Sequence, residues 1–384
     1  MRHKIVKYLC ISLIALVFSC NFSQGNKEFK SEDLPLNKYY ATEHFSIYQG
    51  KGYYLLEVSS LFQNFDGKER YVFYDKAQEK PQLTNITHYI QTPIQSLSIS
   101  STTHLGFLNA LGQTQAIIAA KDMRFTYDQN FTKLLNEGAV VDLGGDTYDV
   151  ETLLKLKEEV NIAYAIDGEG YREIQQLRKK GERFIMMAEF METEPLEKTK
   201  WLLPMALLFG EESMQDALQI IENVEERYQT LIAKVDEIQN KPRIMIGLPW
   251  SGTWYVSGGN SFQAKFIEDA GGEYIWSEIE AKASVPISIE KVFKDALDAD
   301  FWINPGNARS LKDIEDRDER FTVLSPLKNQ KVFNQNRRYS PNNGNDYWES
   351  GVVHPDLILA DLIAIFHPEI LKNHQLYYYQ KLQP

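Results

Sequence analysis

Two stretches of the chain, YDVETLLKLKEEVNIAY at residues 148–164 and PISIEKVFKDALDADFWI at residues 286–303, repeat one pattern. When Glu151 is aligned with Glu290, each copy has a helix-capping aspartate or serine two positions earlier. Each copy then continues as a helix with similar apolar spacing and ends in a short β-rich run. A helix that leads into a strand is part of a βαβ unit, so the repeat predicts two related α/β lobes.

The sequence around each copy supports this division. Short apolar runs alternate with helical stretches around the first copy, in the order SLSIS, TQAIIAA, AVVDLG, NIAYAI and RFIMMAE. The alternation restarts after Pro242 with RIMIGLPW and continues to the closing helix PDLILADLIAIF. Alternation of this kind predicts mainly parallel sheets covered by helices. We therefore predict an N-terminal α/β lobe over residues 91–193 and a C-terminal α/β lobe over residues 242–384.

A helical tract separates the two predicted lobes. It covers residues 194–241 and is interrupted only around Pro204 and Gly210. Its second part, MQDALQIIENVEERYQTLIAKVDEI, has apolar residues at helical spacing with charges between them. We predict that one long helix joins the lobes rigidly, which would limit their closure on a ligand.

Residues 37–90 precede the first lobe and have a different character. They contain HFSIYQGKGYYLLEV, two β-rich runs around a glycine-containing turn, and then ERYVFY. This pattern predicts a small β extension. The predicted fold class is α/β: two βαβ lobes with mainly parallel sheets, joined by one long rigid helix, plus the N-terminal β extension.

The first nineteen residues have the features of an export signal. Arg2, Lys4 and Lys7 supply positive charge. The apolar segment IVKYLCISLIALVF is shorter than the roughly 20 apolar residues of a membrane-spanning helix. The signal ends in LVFSC, which resembles a bacterial lipobox, so we expect residues 1–19 to be removed and Cys20 to be lipidated. Residues 20–36 would then tether the folded part in the periplasm, or on the cell surface of a host without an outer membrane.

Charge and cysteine content exclude several classes of protein. The chain has 41 basic and 53 acidic residues and a net charge of −12, and loss of the three signal cations would make the mature chain −15. An acidic surface argues against nucleic acid as a partner and against peripheral binding to anionic lipid, which leaves a lipid anchor as the membrane contact. Cys10 leaves with the signal, so the mature chain has no cysteine pair for a disulfide or a thiolate metal site.

Five stretches resemble, in family order, the substrate-binding proteins of ABC importers whose lobes are bridged by a rigid helix. They are LNALG, VETLLKLKEEVNIAY, IMIGLPWSGTWYVSGGNSFQAKFIEDAGGEYIW, ISIEKVFKDALDADFWI and HPDLILADLIAIFHPE, spanning roughly residues 95–370. The resemblance implies a receptor that is not an enzyme, has no resident cofactor and acts as a monomer. Its ligand would be a metal chelate, with a ferric siderophore expected first and cobalamin or haem next. It would deliver that ligand to an ABC importer permease dimer.

The resemblance also gives a role to the repeated glutamates. In such proteins one surface glutamate on each lobe docks into arginine pockets of the two permease subunits, and Glu151 and Glu290 match those positions by motif. Two carboxylates on separate rigid lobes would give a two-point grip on a pseudo-twofold partner. A glutamate in the first turn of a helix also complements the helix dipole by about 0.3–1 kcal/mol without any partner. The two glutamates therefore fit both permease docking and helix stabilisation.

Aromatic residues mark candidate ligand contacts in the second lobe. Trp250, Trp254 and Tyr255 directly follow the strand RIMIGL, and Gly252 permits a tight turn between them. Aromatic faces suit large planar or catecholate-rich ligands. We expect these residues to line the cleft, although one of the three would also fit the core.

The loop QNRRYSPNNGNDYWESG before the last helix is a second candidate. The resemblance places a pocket loop of the second lobe here, and we assign Arg338 and Trp348 to the ligand site. An arginine would suit an anionic iron chelate. Arg337 and Arg338 are adjacent, so at most one of them is expected to face the cleft.

Candidates in the first lobe follow its predicted strands. His104 and Arg124 follow the first two strands, and Tyr171 follows the strand NIAYAI. Their loop positions make them candidates for facing the cleft. His104 could be a haem or metal ligand, but a single histidine at a helix start also fits a cap or a surface residue.

Two other classes of function fit the sequence less well. A zinc or manganese receptor needs several His and carboxylate ligands that converge on one ion, but the histidines are scattered and form no His-rich loop. A secreted enzyme would be expected to carry a recognisable motif, and the chain has no G-x-S-x-G, H-E-x-x-H or P-loop pattern. Tight chelate binding without turnover would separate the receptor from both alternatives.

Overall fold

The computed structural model describes residues 39–384. The predicted signal, the lipidation site Cys20 and the tether lie outside the described residues. Within residues 39–384, no helix is both long enough and apolar enough to cross a membrane.

The N-terminal extension is a four-stranded sheet in the order β1-β2-β3-β4. Its strands are β1 (Phe45–Gly50), β2 (Tyr53–Ser59), β3 (Lys68–Asp75) and β4 (His88–Thr92). The first three strands are antiparallel and β4 runs parallel to β3. Gly52 turns the chain between β1 and β2 with a φ of 79°, a conformation that favours glycine. One face of the sheet packs into the core of the first lobe.

The first lobe contains a five-stranded parallel sheet in the order β7-β6-β5-β8-β9. Its strands are β5 (Leu97–Ile99), β6 (Ile117–Ala120), β7 (Val141–Asp142), β8 (Val160–Ala163) and β9 (Phe184–Met186). Its helices are α1 (Thr102–Ala110), α2 (Gln129–Asn136), α3 (Val150–Lys155) and α4 (Gly168–Lys179). Strands β5, β8 and β9 are buried on both faces, as expected for a parallel sheet with helical cover.

Three helices connect the lobes: α5 (Pro195–Thr199), α6 (Leu202–Ala206) and α7 (Glu211–Val235). The predicted interruption near Gly210 is present, because this glycine adopts a φ of 91° and separates α6 from α7. The 25-residue helix α7 has a buried stripe that includes Met214, Ala217, Ile221, Val224 and Tyr228. Met214 and Ile221 belong to the core of the first lobe, whereas Tyr228 belongs to the core of the second. One continuous helix therefore contributes to both cores.

The second lobe contains a sheet in the order β13-β10-β15-β16-β17, in which only β17 is antiparallel to its neighbour. Its strands are β10 (Arg243–Ile246), β13 (Glu273–Tyr274), β15 (Phe301–Ile303), β16 (Val332–Asn334) and β17 (Gln380–Lys381). A separate antiparallel sheet contains β11 (Pro249–Trp250), β12 (Thr253–Ser257) and β14 (Ser284–Ile287). The helices are α8 (Phe262–Asp269), α9 (Ile289–Ala296), α10 (Leu311–Glu315), α11 (Ser325–Lys328), α12 (Asp346–Glu349) and α13 (Pro355–Phe366).

The predicted fold class is confirmed: two α/β lobes with mainly parallel sheets, a long joining helix and an N-terminal β sheet. The repeated stretches become α3–β8 in the first lobe and α9–β15 in the second. In both copies the predicted cap is present, since the side chain of Asp149 accepts from the Thr152 N–H and that of Ser288 accepts from the Lys291 N–H.

Candidate ligand-binding cleft

A pocket of about 160 Å³ lies where the two lobes meet, and we call it the floor pocket. Its lining includes Thr103, Glu189, Phe190, Lys198, Phe262 and Trp348. Thr103 follows β5, Phe190 follows β9 and Trp348 follows β16, so the pocket lies at the carboxyl ends of both parallel sheets. Open α/β sheets bind their ligands at this end.

Aromatic side chains form the walls of the floor pocket. The rings of Phe262 and Trp348 meet edge to face with their centres 6.2 Å apart, and Phe262 makes a similar contact with Phe266 at 6.1 Å. On the side of the first lobe, Phe190 packs against Tyr164 at 6.0 Å. The side chain of Trp348 is 43% exposed. These rings give the pocket an apolar surface suited to a flat part of a ligand.

Lys198 brings positive charge to the floor pocket. Its Nζ donates to the backbone carbonyl oxygen of Glu189 at 3.0 Å and lies 4.6 Å from the centre of the Phe262 ring. Burial lowers the pKa of Lys198 to about 8, although the carboxylates of Glu189 and Glu192 act in the opposite direction. At neutral pH the side chain is therefore mostly protonated and can attract an anionic group.

His104 does not contact the cleft, so its assignment as a ligand residue is wrong. It lies inside α1 with no exposed surface, and its ring packs edge to face against Tyr164 with centres 6.3 Å apart. Burial lowers the pKa of His104 to about 4, so the ring is neutral at pH 7. Its neighbour Thr103 reaches the pocket instead, and the Thr103 hydroxyl donates to Glu189 Oε1 at 2.5 Å. Among residues 39–384, no three His, Cys, Asp or Glu side chains form a metal-binding group.

The lobes touch directly beside the floor pocket, in a contact that we call the clamp. The carboxylate of Glu349 accepts from the backbone N–H groups of Tyr127 at 2.8 Å and Asp128 at 3.1 Å. The Ser340 hydroxyl donates to the Thr126 carbonyl oxygen at 3.1 Å. Side chains that follow β16 thus hold the main chain of the first lobe, which fixes the separation of the lobes at this point.

Arg338 belongs to the same contact region. Its Nε donates to Asp346 Oδ2 at 2.5 Å, and its guanidinium lies between the rings of Tyr127 and Tyr377, 5.0 Å and 4.4 Å from their centres. These residues line a second inter-lobe groove of about 380 Å³. Arg337 is exposed and does not line this groove. A direct contact of Arg338 with a ligand stays a prediction.

Three ligand residues were predicted on the β11–β12 hairpin, and the structure shows that one of them, Trp254, was assigned wrongly. Trp254 is only 1% exposed, packs against Trp302 and Phe321, and donates its indole N–H to the Ile246 carbonyl oxygen. It is a core residue. Trp250 and Tyr255 lie on the opposite face of the hairpin, 69% and 46% exposed, so they are free to meet a ligand or partner.

Tyr171 also lies outside the cleft, which corrects its assignment. Its hydroxyl donates to Glu69 Oε1 of the β extension at 2.7 Å, and its ring packs against Phe62 and Phe65. The helix α4 therefore presents Tyr171 to the extension sheet. Arg124 is exposed and paired with Asp122 at 2.8 Å and with Asp146 at 2.9 Å, and its predicted ligand contact stays a prediction.

The two repeated glutamates occupy equivalent places. Glu151 and Glu290 are each the second residue of their helix, α3 and α9, and both are exposed. Glu151 pairs with Lys155 one turn later at 2.6 Å, an exposed contact worth little to stability. A hydrogen bond from its own backbone N–H, and then one with the Ser288 side chain, lowers the pKa of Glu290. Their predicted role in docking stays a prediction.

Several residues of the floor pocket were not predicted from the sequence. Glu189 and Phe190 come shortly after β9. Ligand residues were predicted in the loops that follow other strands of the sheet, and the same rule applied to β9 would have predicted these two. Phe262 begins α8 after a glycine-rich stretch and has no distinguishing pattern. Lys198 lies in a short helix of the connecting tract, where a lysine is usually a solvated surface residue.

Comparison with known proteins gives one family. The sequence pattern of the periplasmic binding protein family matches residues 98–337, more than half of the chain. An uncharacterized lipoprotein of Methanocaldococcus jannaschii is 24% identical over 314 residues, which cover 79% of this chain and 72% of that protein.

Solved structures show the same fold. A possible iron-binding periplasmic solute-binding protein from Staphylococcus epidermidis aligns with a TM-score of 0.56 and 14% identity, over 72% of this chain and 100% of that chain. The periplasmic heme-binding protein of Vibrio cholerae aligns with a TM-score of 0.53 and 15% identity, over 69% of this chain and 99% of that chain. At these identities the likeness concerns the fold alone.

Proposed function

Because this chain belongs to the periplasmic binding protein family, we propose that it is a receptor for a metal chelate, which it captures between its lobes and delivers to an ABC importer. The observation that carries the proposal is the floor pocket, whose aromatic walls come from both lobes. Its volume of about 160 Å³ is smaller than the roughly 300–1,000 Å³ of ligand sites, so it would hold one flat part of a larger ligand.

One cation, Lys198, and one carboxylate, Glu189, line the floor pocket, and the Glu189 Oε1 accepts from the Thr103 hydroxyl. Lys198 faces the floor pocket and is mostly protonated at neutral pH. An anionic iron chelate would gain from this cation, whereas an uncharged corrin would not. We therefore propose a ferric siderophore as the first candidate. Haem and cobalamin are alternatives, and the titration described below distinguishes the three. Trp348 lies in the pocket, and Trp250, Tyr255, Arg124 and Arg338 are proposed as further contacts.

The receptor is proposed to be held at the membrane by a lipid on Cys20, with its lobes outside the cytoplasm. Membership of a periplasmic binding family and a curated relative named as a lipoprotein support this location. Glu151 and Glu290 are proposed to dock the two permease subunits, one from each lobe.

A tryptophan-fluorescence titration tests ligand capture. The chain from residue 21 onward, which contains every described element, is titrated with ferric catecholate and hydroxamate siderophores, haem, cyanocobalamin and free zinc. We expect saturable quenching by one chelate and no turnover of it. Trp201, Trp254, Trp276 and Trp302 are buried and provide a constant background, so Trp348→Phe is expected to remove most of the signal. If Trp250→Phe removes as much, the hairpin also contacts the ligand.

Variants of the pocket provide the matching affinity test. Phe190→Ala and Phe262→Ala each remove apolar contact area, so we expect each to weaken chelate binding by about tenfold. Leu297→Ala is the control, because Leu297 is exposed shortly before the amino end of β15, away from the cleft. Unchanged affinity in both phenylalanine variants, or binding of free zinc alone, would contradict the proposal.

A further inference from the structure

A larger groove lies at the end of the second lobe that is opposite the cleft. It has a volume of about 730 Å³, within the roughly 300–1,000 Å³ range of small-molecule sites. Pro242, Phe301 and Lys331 line it at the amino ends of β10, β15 and β16. The cleft lies at the carboxyl ends of the same sheet, so the groove is a separate site. We call it the basal groove.

The lining of the basal groove carries mainly positive charge, although the chain as a whole is acidic. Four lysines line it, Lys241, Lys331, Lys372 and Lys381, against one aspartate, Asp300. Asp300 is already engaged, because its Oδ2 accepts from the Arg243 N–H at 2.8 Å. The whole chain has a net charge of −12, so a concentration of cations here is unexpected from composition.

These lysines also lack counter-ions. Within residues 39–384, none of the four forms an ion pair, and Lys331 lies over the Phe301 ring at 4.8 Å. Elsewhere in residues 39–384 some lysines are paired, such as Lys68 and Lys282, and others, such as Lys180 and Lys328, are not, so the distinguishing feature of these four is that they share one concave surface. Like charges that share a concave, partly apolar surface repel one another, and a bound anion would relieve that repulsion.

The floor of the groove is apolar. Phe301, Phe333, Ile365, Leu371 and Leu376 contribute to its lining. Apolar surface below a rim of ammonium groups suits a molecule that has both an apolar body and an acidic head. A bare inorganic anion would leave the apolar floor uncovered, and a flat membrane surface would not enter a concave groove.

One wall of the groove is fixed in place by a buried carboxylate. Asp361 is fully buried in α13 and accepts from the backbone N–H groups of Tyr377, Tyr378 and Tyr379 at 2.7–3.0 Å. Its Oδ1 also lies 2.6 Å from Nε2 of His374, which lines the groove. The C-terminal segment is thus held against the lobe in one arrangement. A preformed wall lowers the entropic cost of binding.

We propose that the basal groove is a binding site for a soluble amphiphilic anion, a small molecule with an apolar body and an acidic head group. The lysines would bind the head group, and the phenylalanine and leucine side chains would cover the body. This proposal is independent of which ligand the cleft carries.

Isothermal titration with dodecyl phosphate, below the concentration at which it forms micelles, tests the proposal on the chain from residue 21 onward. We expect saturable binding that weakens with added salt, binding of inorganic phosphate that is weaker by about tenfold or more, and no binding of the uncharged dodecyl maltoside. Lys331→Ala with Lys381→Ala should weaken dodecyl phosphate binding by about tenfold or more, because two cations are lost.

The control is Lys133→Ala with Lys179→Ala, which removes two exposed lysines of the first lobe and should leave binding unchanged. Leu371→Asp, which places a carboxylate in the apolar floor, should also weaken it. Equal affinity in wild type and the Lys331/Lys381 variant would overturn the proposal, as would competition by the cleft chelate. Binding to anionic phospholipid vesicles but not to monomeric dodecyl phosphate would overturn it in favour of a membrane-contact face.

Discussion

At the scale of single residues, Glu349 shows how one buried side chain couples the two lobes. Its two carboxylate oxygens accept from consecutive backbone N–H groups, those of Tyr127 and Asp128, across the inter-lobe contact. Burial raises the pKa of Glu349 to about 7, although these two N–H groups act in the opposite direction. The residue therefore titrates near neutral pH while it holds the lobes together.

The raised pKa predicts the direction of a pH effect on stability. The folded-state pKa of about 7 exceeds the ordinary value of 4.5, so the folded state binds the proton more tightly. The contribution of this group is full below about pH 4.5 and is lost as the pH rises through about 7. Because of Glu349 alone, the free energy of unfolding should fall between pH 5 and pH 8, by about 3 kcal/mol at most.

Urea denaturation at pH 5, 6, 7 and 8 measures this effect. Glu349→Gln cannot titrate, so its stability should depend less steeply on pH than that of wild type. Burial also raises the pKa of Glu192 to about 7, and the variant should retain that part of the slope. Glu169→Gln, an exposed position in α4, is the control and should behave as wild type. An unchanged slope in Glu349→Gln would show that this group does not titrate in the expected range.

At the scale of elements, the repeated helices α3 and α9 have the same construction. Each begins with a side-chain cap, from Asp149 or Ser288, and each carries its glutamate at the second helical position. The cap fixes where the helix starts, and this sets the direction in which the glutamate leaves the surface. Because each helix leads into a central strand of its lobe, the two carboxylates are presented on rigid supports.

This construction predicts a separation of ligand binding from transport. Glu151→Ala with Glu290→Ala should leave chelate affinity intact, since both side chains are exposed and neither lines the floor pocket. Import of the chelate into cells should be abolished, because both charged contacts with the permease would be lost. The paired variant Glu169→Ala with Glu278→Ala removes two other exposed carboxylates and should transport normally. Import at the wild-type rate by the Glu151/Glu290 variant would mean that these glutamates serve only their helices.

At the scale of the whole molecule, the β extension is part of the first lobe. Arg178 of α4 donates to both carboxylate oxygens of Glu69 in β3, at 2.5 Å and 2.8 Å, and the side chains are only 8% and 4% exposed. The Tyr71 hydroxyl bonds to Glu69 and also accepts from the Met186 N–H of β9 at 3.0 Å. Aromatic and aliphatic residues of the extension share one core with the lobe. An exposed ion pair between Glu43 and Lys282 links the extension to the second lobe as well.

This shared core predicts that the extension and the first lobe unfold together. Glu69→Ala should lower the free energy of unfolding by about 3–5 kcal/mol, because it leaves the Arg178 charge buried without its partner. Breaking the exposed pair with Glu43→Ala should cost less than about 1 kcal/mol. Urea denaturation followed by circular dichroism and by tryptophan fluorescence measures both values. Two separate transitions would mean that the extension is an independent unit, and equal effects of the two variants would mean that the buried pair stabilises the fold no more than the exposed one.

Local sequence patterns were sufficient to predict the order of the helices and strands. Helix α13, the caps of α3 and α9, the interruption at Gly210 and the alternation of strands and helices all depend on residues that are close in the chain. Apolar periodicity, capping side chains and glycine conformations act over a few residues, so they can be read without knowledge of distant contacts. For the same reason the two-lobed fold class was predictable from the repeat.

Which side chains form the site depends on contacts between distant parts of the chain. Trp254 and Tyr255 are neighbours in the chain, yet one is in the core and the other is exposed, because adjacent strand residues point to opposite faces and the fold decides which face is covered. Tyr171 faces the extension sheet because β3 supplies Glu69 from about a hundred residues away. Lys198 faces the pocket because α5 is placed between the lobes. Burial is set by what packs against a residue from elsewhere in the chain, and no local pattern carries that information.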